Sequence, residues 1–439
     1  MTRTARRPSS GTGFGYLWSG ESASLLGNAT SAFLVPVLAL VQLDAGPLWV
    51  GLLTAAAWLP WVLVGLLAGA LIDRRTPKPV IIAANLTAAA ALVTVPVAGW
   101  AGMLTLGHLV VVALATGTAS VFSRTAGTKL VPLVAEPSRL EAANARLLGT
   151  ESLTQVAGPG LGGLVVSVVS ASTGLLLDVV GFLVSAVCLR RVRPRAAAGA
   201  RPDAAVRLRH QIAEGVAFVR RDRFLAPMVV VGSVSNFGLT GFTTLLVVYL
   251  VDVLGVSASY AGLVMMLGSL GGVLGALVAV PLARRIGTGR ASTGLLVLSG
   301  PAALLVALPV RRDQVAITVA GLVLVGAFVV CGNVIRGAWR QRYVPDRLLG
   351  RVVTASQVVN YGAMPLAGLT AGVLAHSVGT RPTMLLMAGV HLLAWTAMLA
   401  TPVGRVVELP TSVDPLLSTM PPSPSADATG PRTPVRSAP

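Results

Sequence analysis

The sequence predicts an all-α membrane protein with twelve transmembrane helices, arranged as two pseudo-symmetric six-helix halves. Of its 439 residues, 54% are hydrophobic and 11% are charged, whereas an ordinary soluble domain carries about 25% charged residues. Apolar runs of ~20 residues recur along the chain, and each is long enough to cross a ~30 Å hydrocarbon layer as a helix. Landmarks of the first half return ~210 residues later, as expected of a duplicated membrane bundle.

The apolar runs define the predicted helices. In the first half these helices cover about 15–42, 49–72, 80–100, 106–122, 143–169 and 174–189. In the second half they cover about 227–251, 258–282, 293–308, 315–339, 352–375 and 382–401. We therefore divide the chain into an N-terminal arm (1–13), a first bundle (14–189), a basic linker (190–225), a second bundle (226–402) and a disordered tail (403–439).

The distribution of basic residues predicts the orientation. If the N-terminus is cytoplasmic, 31 of the 34 Lys and Arg residues lie on the cytoplasmic side, and only Arg311, Arg312 and Arg381 lie outside. This asymmetry is the positive-inside rule, so the net charge of +18 needs no nucleic-acid partner. We expect a multi-pass plasma-membrane protein with both termini in the cytoplasm.

The basic linker has two interpretations. It holds ten arginines between Arg190 and Arg223. Within it, Val206, Ile212 and Val219 keep helical spacing against charged residues, which predicts an amphipathic helix lying on the lipid surface. A solvated connection between the two halves fits the same composition, and the sequence leaves both interpretations open.

The short charged loop after the second predicted helix provides the clearest family resemblance. It resembles the Gly-x-Leu-x-Asp-Arg-x-Gly-Arg-Lys signature of the major facilitator superfamily, and the matching residues are Gly69, Leu71, Asp73, Arg74 and Lys78. The resemblance implies the major facilitator fold. It also implies that the acid of this loop holds helix ends together in the outward-facing state and releases them when the protein opens inward. We therefore predict a conformational latch of Gly69, Asp73, Arg74 and Lys78.

A second motif lies in the fifth predicted helix. Gly158, Pro159, Gly162 and Gly163 resemble the core of the antiporter motif of drug exporters, although Thr154 replaces its upstream glycine. Further strings at 16–18, 24–28 and 344–352 resemble the branch that contains enterobactin and macrolide exporters. Proline and small residues together favour a bendable seam between close helices. Ordinary tight packing explains the same residues.

Two acids inside apolar helices are the candidates for proton coupling. A charge at the centre of a span costs at least ~2.5 kcal/mol, so acids there tend to have a function. Glu21 lies about six predicted helical residues into the first span, or some ~9 Å along its axis. Glu151 in the fifth helix is the second candidate. The alternative for Glu21 is a side chain that reaches back to the interface, and for Asp178 we expect a structural hydrogen bond.

Polar side chains in apolar helices are candidates for lining a central cavity. They are Asn28, Asn236, Asn333, Gln357, Asn360 and Tyr361. Each of them alone is equally compatible with a hydrogen bond between helices.

Several function classes lack the residues that they need. The only lysines are Lys78 and Lys129, and neither stands in a Gly-Lys-Ser/Thr phosphate loop. The four histidines form no His-Glu-x-x-His zinc motif. We therefore predict no enzyme and no cofactor, with the proton gradient as the energy source and a monomer as the functional unit.

Three functions remain. The first is proton-coupled export of hydrophobic or amphipathic small molecules, such as antibiotics or siderophores. The second is import of a small nutrient by symport with protons, against which the partial antiporter motif argues. The third is a sensor or scaffold that transports nothing.

Overall fold

A computed structural model of the protein describes residues 11–73, 75–195 and 214–412. Every regular element within these residues is a helix. The predicted all-α class is therefore confirmed.

The N-terminal half contains six long helices. They are α1 (Gly11–Val37), α2 (Pro47–Leu63), α3 (Pro77–Trp100), α4 (Leu106–Val134), α5 (Leu140–Val168) and α6 (Leu176–Arg191). A π-helical turn, Leu38–Gln42, continues α1. A break at Val64 separates α2 from a short helix, Gly65–Asp73, where the sequence predicted one continuous helix.

The C-terminal half repeats this order. Its long helices are α7 (Leu225–Thr244), α8 (Ala258–Ile286), α9 (Thr288–Val306), α10 (Val315–Tyr343), α11 (Asp346–Val378) and α12 (Thr380–Met398). A π-helical turn, Tyr249–Val253, follows α7 at the position that Leu38–Gln42 occupies after α1. The two halves thus share an irregular feature as well as a helix order.

Packing within the halves is also repeated. Helix α1 packs against α5 and α6, as α7 packs against α11 and α12, and α3 packs on α4 as α9 packs on α10. Of the described helices, nine are long and apolar enough to span a membrane, and the apolar α2 is shorter. Together with α5 and α12, these helices are consistent with the predicted twelve spans in two pseudo-symmetric halves.

Both described ends of the chain lie at one face of the bundle, which we call the terminal face. There Lys78 Nζ donates to the carbonyl oxygens of Arg190 and Val192 at 2.9 and 2.7 Å. In the other half, Trp339 Nε1 donates to the Pro410 carbonyl at 2.8 Å. The opposite face, which we call the loop face, carries the turns that follow the two π-helical segments.

The two halves make close contacts near the loop face through two helix pairs, α2 with α11 and α5 with α8. A Cβ added to Gly51 would lie 2.6 Å from Gly372 Cα, and one added to Gly163 would lie 2.7 Å from the Ser259 carbonyl oxygen. Small residues let helix backbones approach this closely. The described contacts therefore pack the halves together on the loop-face side.

Several helices extend beyond the apolar runs. Helix α4 continues to Val134, whereas the sequence predicted its end at 122, so Arg124 and Lys129 lie inside a helix and not in a cytoplasmic loop. Hydropathy marks only the part of a helix in contact with hydrocarbon, and a helix can continue past it into water or a polar cavity. This extension brings Arg124 into the candidate site described below.

The linker and the tail both contact the C-terminal half. Residues 214–221 are helical, and Glu214 forms an ion pair with Arg351 of α11. Part of the predicted amphipathic helix, over 206–213, lies outside the described residues. The structure differs from the predicted disordered tail over 403–412, because Pro402–Arg405 is helical and Leu409 is buried.

Candidate functional site

A cavity of about 340 Å³ lies in the C-terminal half among α7, α9, α10, α11 and α12. Five of the six predicted lining residues surround it, namely Asn236, Asn333, Gln357, Asn360 and Tyr361. These residues stand on three helices, α7 and the consecutive pair α10 and α11. The fold therefore gathers the scattered polar groups into one site.

Asn28 does not line this cavity, and its place in the wall of a central cavity stays a prediction. Its neighbours on α1 face other helices, since Gly27 lies against Asp178 of α6 and Ala29 lies against Gly158 of α5. Because successive helical residues point ~100° apart, Asn28 occupies the remaining face of α1, where it is exposed.

Asn360 has a structural role as well as a place in the cavity wall. Its Nδ2 donates to the Ser356 carbonyl at 2.9 Å, and its Oδ1 accepts from Ser233 Oγ of α7 at 3.4 Å. This contact joins α11 to α7. The side chains of Asn333 and Gln357 are exposed.

Two arginines that were not among the predicted site residues also line the cavity. Arg336 and Arg340 are four residues apart on α10 and so share one face of that helix. Arg336 donates to Asn333 Oδ1, and its guanidinium lies 4.6 Å from the centre of the Trp395 ring. Their spacing on an apolar helix was the available signal, but we counted both as cytoplasmic charges.

The two arginines lack the carboxylate partner that a buried charge usually has. Among the described residues, no carboxylate forms an ion pair with Arg336 or Arg340. The Nε atom of each is buried and has no hydrogen-bond partner in this part of the chain. The cavity is therefore positively charged.

His391 lies deep in the cavity wall and has both ring nitrogens occupied. Nδ1 is 2.9 Å from Ser235 Oγ of α7, and Nε2 is 2.8 Å from Ser299 Oγ of α9. These contacts fix α12 to two neighbouring helices. The arrangement is that of a satisfied structural histidine.

An aromatic contact connects the cavity to the N-terminal half. The Tyr361 ring lies 5.6 Å from the Trp58 ring and 4.9 Å from the Trp61 ring of α2. Both tryptophans face α11 of the other half, because that side of α2 forms the interface between the halves.

The N-terminal half contains a group of three charged residues at one level of the bundle. Arg124 Nη2 lies 3.0 Å from Glu151 Oε1, and Glu21 lies close enough to interact electrostatically with both of these residues. Glu21, Arg124 and Glu151 each stand ten or eleven residues from the terminal-face end of their helices, which is about 15 Å along the helix axis. The two predicted acids are thus brought to the same level of the bundle.

The glycine motif of α5 contacts two neighbouring helices. Gly158 and Gly162 approach Ala29 and Phe33 of α1, and a Cβ on Gly162 would lie 2.6 Å from the Phe33 ring. Gly163 faces α8 of the other half, and Pro159 is buried beside it. Tight packing therefore accounts for these residues, and their role as a bendable seam stays a prediction.

Part of the predicted latch can be placed. Gly69 lies within the short helix Gly65–Asp73, which ends at the acid of the loop, and Arg74 lies outside the described residues. Lys78 connects the start of α3 to the end of α6 through the two hydrogen bonds given above. The latch stays a prediction.

Two similar helical bundles that pack together, one of which holds a polar cavity, have the architecture of a membrane transporter. The profile described as Major Facilitator Superfamily matches residues 17–367, and the chain belongs to this family. The family resemblance stated from the loop and helix motifs is therefore confirmed.

Similar proteins include named transporters. An uncharacterized MFS-type transporter, y4rN of Sinorhizobium fredii, is 28% identical over 75% of this chain and 80% of its own. The multidrug efflux pump Tap of Mycolicibacterium fortuitum is 26% identical over 93% and 99%. Macrolide efflux protein A of Streptococcus pyogenes is 20% identical over 50% of this chain and 54% of its own.

Solved structures share the fold. A bacterial homologue of the iron transporter ferroportin in an inward-facing state superposes with a TM-score of 0.69 at 16% identity, covering 88% of this chain and 98% of the other. The nucleoside transporter NupG superposes with a TM-score of 0.69 at 12% identity, covering 90% and 99%. At these identities the two superpositions show a shared fold.

Proposed function

We propose that this protein exports hydrophobic or amphipathic small molecules across the plasma membrane in exchange for protons. The observation that carries the proposal is the group formed by Glu21, Arg124 and Glu151 at one level of three helices. We place this level within the membrane, where the charged groups of transporters face the protein interior or a water-filled path and act as proton relays.

The composition of this group fits a proton carrier. It contains two carboxyl groups and one guanidinium, and a single arginine neutralises only one carboxylate at a time. The second carboxylate is costly in a low-dielectric site unless it holds a proton. We assign this proton to Glu21, because Glu151 is the acid in direct contact with Arg124.

The packing of the halves supports alternating access between two faces. The halves meet on the loop-face side, while the cavity extends along α10 to Trp339 and Arg340 near the terminal face. With the terminal face in the cytoplasm, substrate enters the cavity from the cytoplasm or inner leaflet. The halves then rock, substrate leaves outside, and a proton taken up there by Glu21 returns the protein to its starting state.

Similarity to efflux pumps favours export over import. A relative that covers 93% of this chain is named a multidrug efflux pump, and the α5 motif resembles that of antiporters. We also propose that Asp73 and Arg74, with Gly69 and Lys78, form the latch that closes the terminal face. No bound cofactor takes part in this scheme.

The experiment that tests the proposal compares Glu21→Gln with the wild type in proteoliposomes. An imposed pH gradient should drive transport of N-phenyl-1-naphthylamine, a neutral amphipath, by the wild type and not by the variant. Exchange of labelled for unlabelled probe without a gradient should persist in the variant, because that half-cycle needs no net proton movement.

The matched control is Glu141→Gln, which alters an exposed acid in the first turn of the helix that carries Glu151. This control should transport like the wild type. Full gradient-driven transport by Glu21→Gln would refute the assignment of the proton to Glu21.

A further inference from the structure

We propose that the cavity of the C-terminal half binds an anionic group on the transported molecule, held by Arg336 and Arg340. The preferred substrates are then amphipathic acids, with a carboxylate, sulfonate or phosphate on an apolar, aromatic body, and a neutral amphipath of the same shape binds more weakly. This inference rests on the proposed transport function and names the chemistry of its substrate.

The charge balance of the two halves motivates the proposal. In the N-terminal half, Arg124 has Glu151 at 3.0 Å and Glu21 nearby. In the C-terminal half, the described residues place two guanidinium groups on one wall with no carboxylate paired to either. A buried charge without a counter-charge is expensive. A ligand anion would supply the missing charge.

The groups around Arg336 leave donors available. Its Nη2 donates to Asn333 Oδ1, and its guanidinium lies over the ring of Trp395. Its Nε has no hydrogen-bond partner among the described residues. The Nε of Arg340 is likewise unpartnered there. Guanidinium groups bind carboxylates and phosphates through paired N–H donors, and such charge-assisted bonds are about twice as strong as neutral ones.

The remaining wall suits an apolar body. Met228, Leu239, Leu296 and Trp339 line the same cavity as the arginines. Its volume of about 340 Å³ lies within the range of about 300–1,000 Å³ for small-molecule sites. Neutral amides from Asn236 and Gln357 complete the lining without adding charge.

A structural role for the arginines competes with this proposal. Arg336 packs on Trp395 and could serve only to join α10 to α12, and Arg340 stands one turn from the end of α10 and could serve only as a cytoplasmic anchor. Removing a structural arginine would weaken binding of any ligand. Removing an anion-binding arginine weakens binding of anions selectively.

The test uses two probes with the same ring system. 8-Anilinonaphthalene-1-sulfonate is anionic, and N-phenyl-1-naphthylamine lacks the sulfonate. Each is titrated by fluorescence into purified protein in lipid nanodiscs, with empty nanodiscs subtracted and no ion gradient. Arg336→Gln should weaken sulfonate binding by roughly 10- to 100-fold, the equivalent of one or two charge-assisted hydrogen bonds, and change binding of the neutral probe less than about 2-fold.

Matched variants complete the design. Arg336→Lys should keep part of the sulfonate affinity, and Arg340→Gln should weaken it as a second, independent removal of charge. Arg342→Gln changes an exposed arginine on the same helix outside the cavity and should alter neither probe. Unaltered binding of the neutral probe shows that each variant is folded.

Three outcomes would overturn the proposal. They are a wild type that does not bind the sulfonate, equal losses for the two probes in Arg336→Gln, and wild-type sulfonate affinity in both glutamine variants. The proposed function fails separately: selective sulfonate binding without gradient-driven transport of any probe would refute proton-coupled export and leave the anion site standing.

Discussion

Arg124 lies in contact with Glu151 and near Glu21. Each acid was predicted from its place in an apolar helix, but their position beside one arginine could not be, because it depends on three helices meeting at the same level of the bundle. Glu151 has a neutral counterpart in the other half: it precedes Pro159 by eight residues, as Gln357 precedes Pro365. The duplicated fold therefore carries a charged group in one half and amides with two arginines in the other.

Substituting Arg124 tests whether the three residues act as a unit. Arg124→Gln leaves two carboxylates without a counter-charge, so we expect gradient-driven transport to fall at least about 10-fold. Because the Arg124 side chain is 56% exposed, the loss of stability should be only about 1 kcal/mol. Initial transport rates and thermal unfolding of the purified protein measure the two effects.

The double variant Arg124→Gln/Glu151→Gln provides the control. It removes one charge of each sign, so its stability should recover relative to Arg124→Gln alone. Strictly additive effects of the two single substitutions would show that the residues do not interact.

At the scale of elements, helix order and the repeat were predictable, whereas helix ends and breaks were not. Apolar runs report contact with lipid, so they placed the helices but ended α4 before Arg124 and missed the break at Val64. The environment of the α2 tryptophans was not predictable either. Sequence shows that Trp58 and Trp61 lie in an apolar helix, but only the packing of α2 on α11 shows that they face protein.

Gly51 offers a test of the loop-face contact between the halves. A Cβ at this position would lie 2.6 Å from Gly372 Cα, so Gly51→Val cannot keep the observed approach of α2 to α11. We expect the halves to separate on this side. Spin labels at the exposed Thr105 and Arg312, which lie on different halves near the loop face, should then show a longer distance than in the unaltered protein.

The control for Gly51→Val is Gly107→Val, because a side chain at Gly107 meets no atom within 4 Å. Both proteins carry replacements of Cys188 and Cys331, the free cysteines, to permit specific labelling. An unchanged label distance in Gly51→Val would contradict the role assigned to this contact.

At the scale of the whole molecule, the two halves differ in chemistry and take different parts in the proposed transport cycle. The N-terminal half supplies acids suited to protons, and the C-terminal half supplies a basic cavity suited to the substrate. Membership of the Major Facilitator Superfamily was predictable from short motifs. The chemistry of the cavity was not, since its lining comes from five helices and its decisive feature is an arginine pair with no carboxylate partner in the described residues.

The most direct measurement of the central claim records substrate and proton movement together. Wild-type protein is placed in liposomes that carry an internal pH indicator, and N-phenyl-1-naphthylamine is added without an imposed gradient. We predict that movement of the probe across the liposome membrane in one direction drives protons across it in the opposite direction. Glu21→Gln should abolish this proton signal. Probe movement with no accompanying proton signal, or with protons moving in the same direction, would contradict the account.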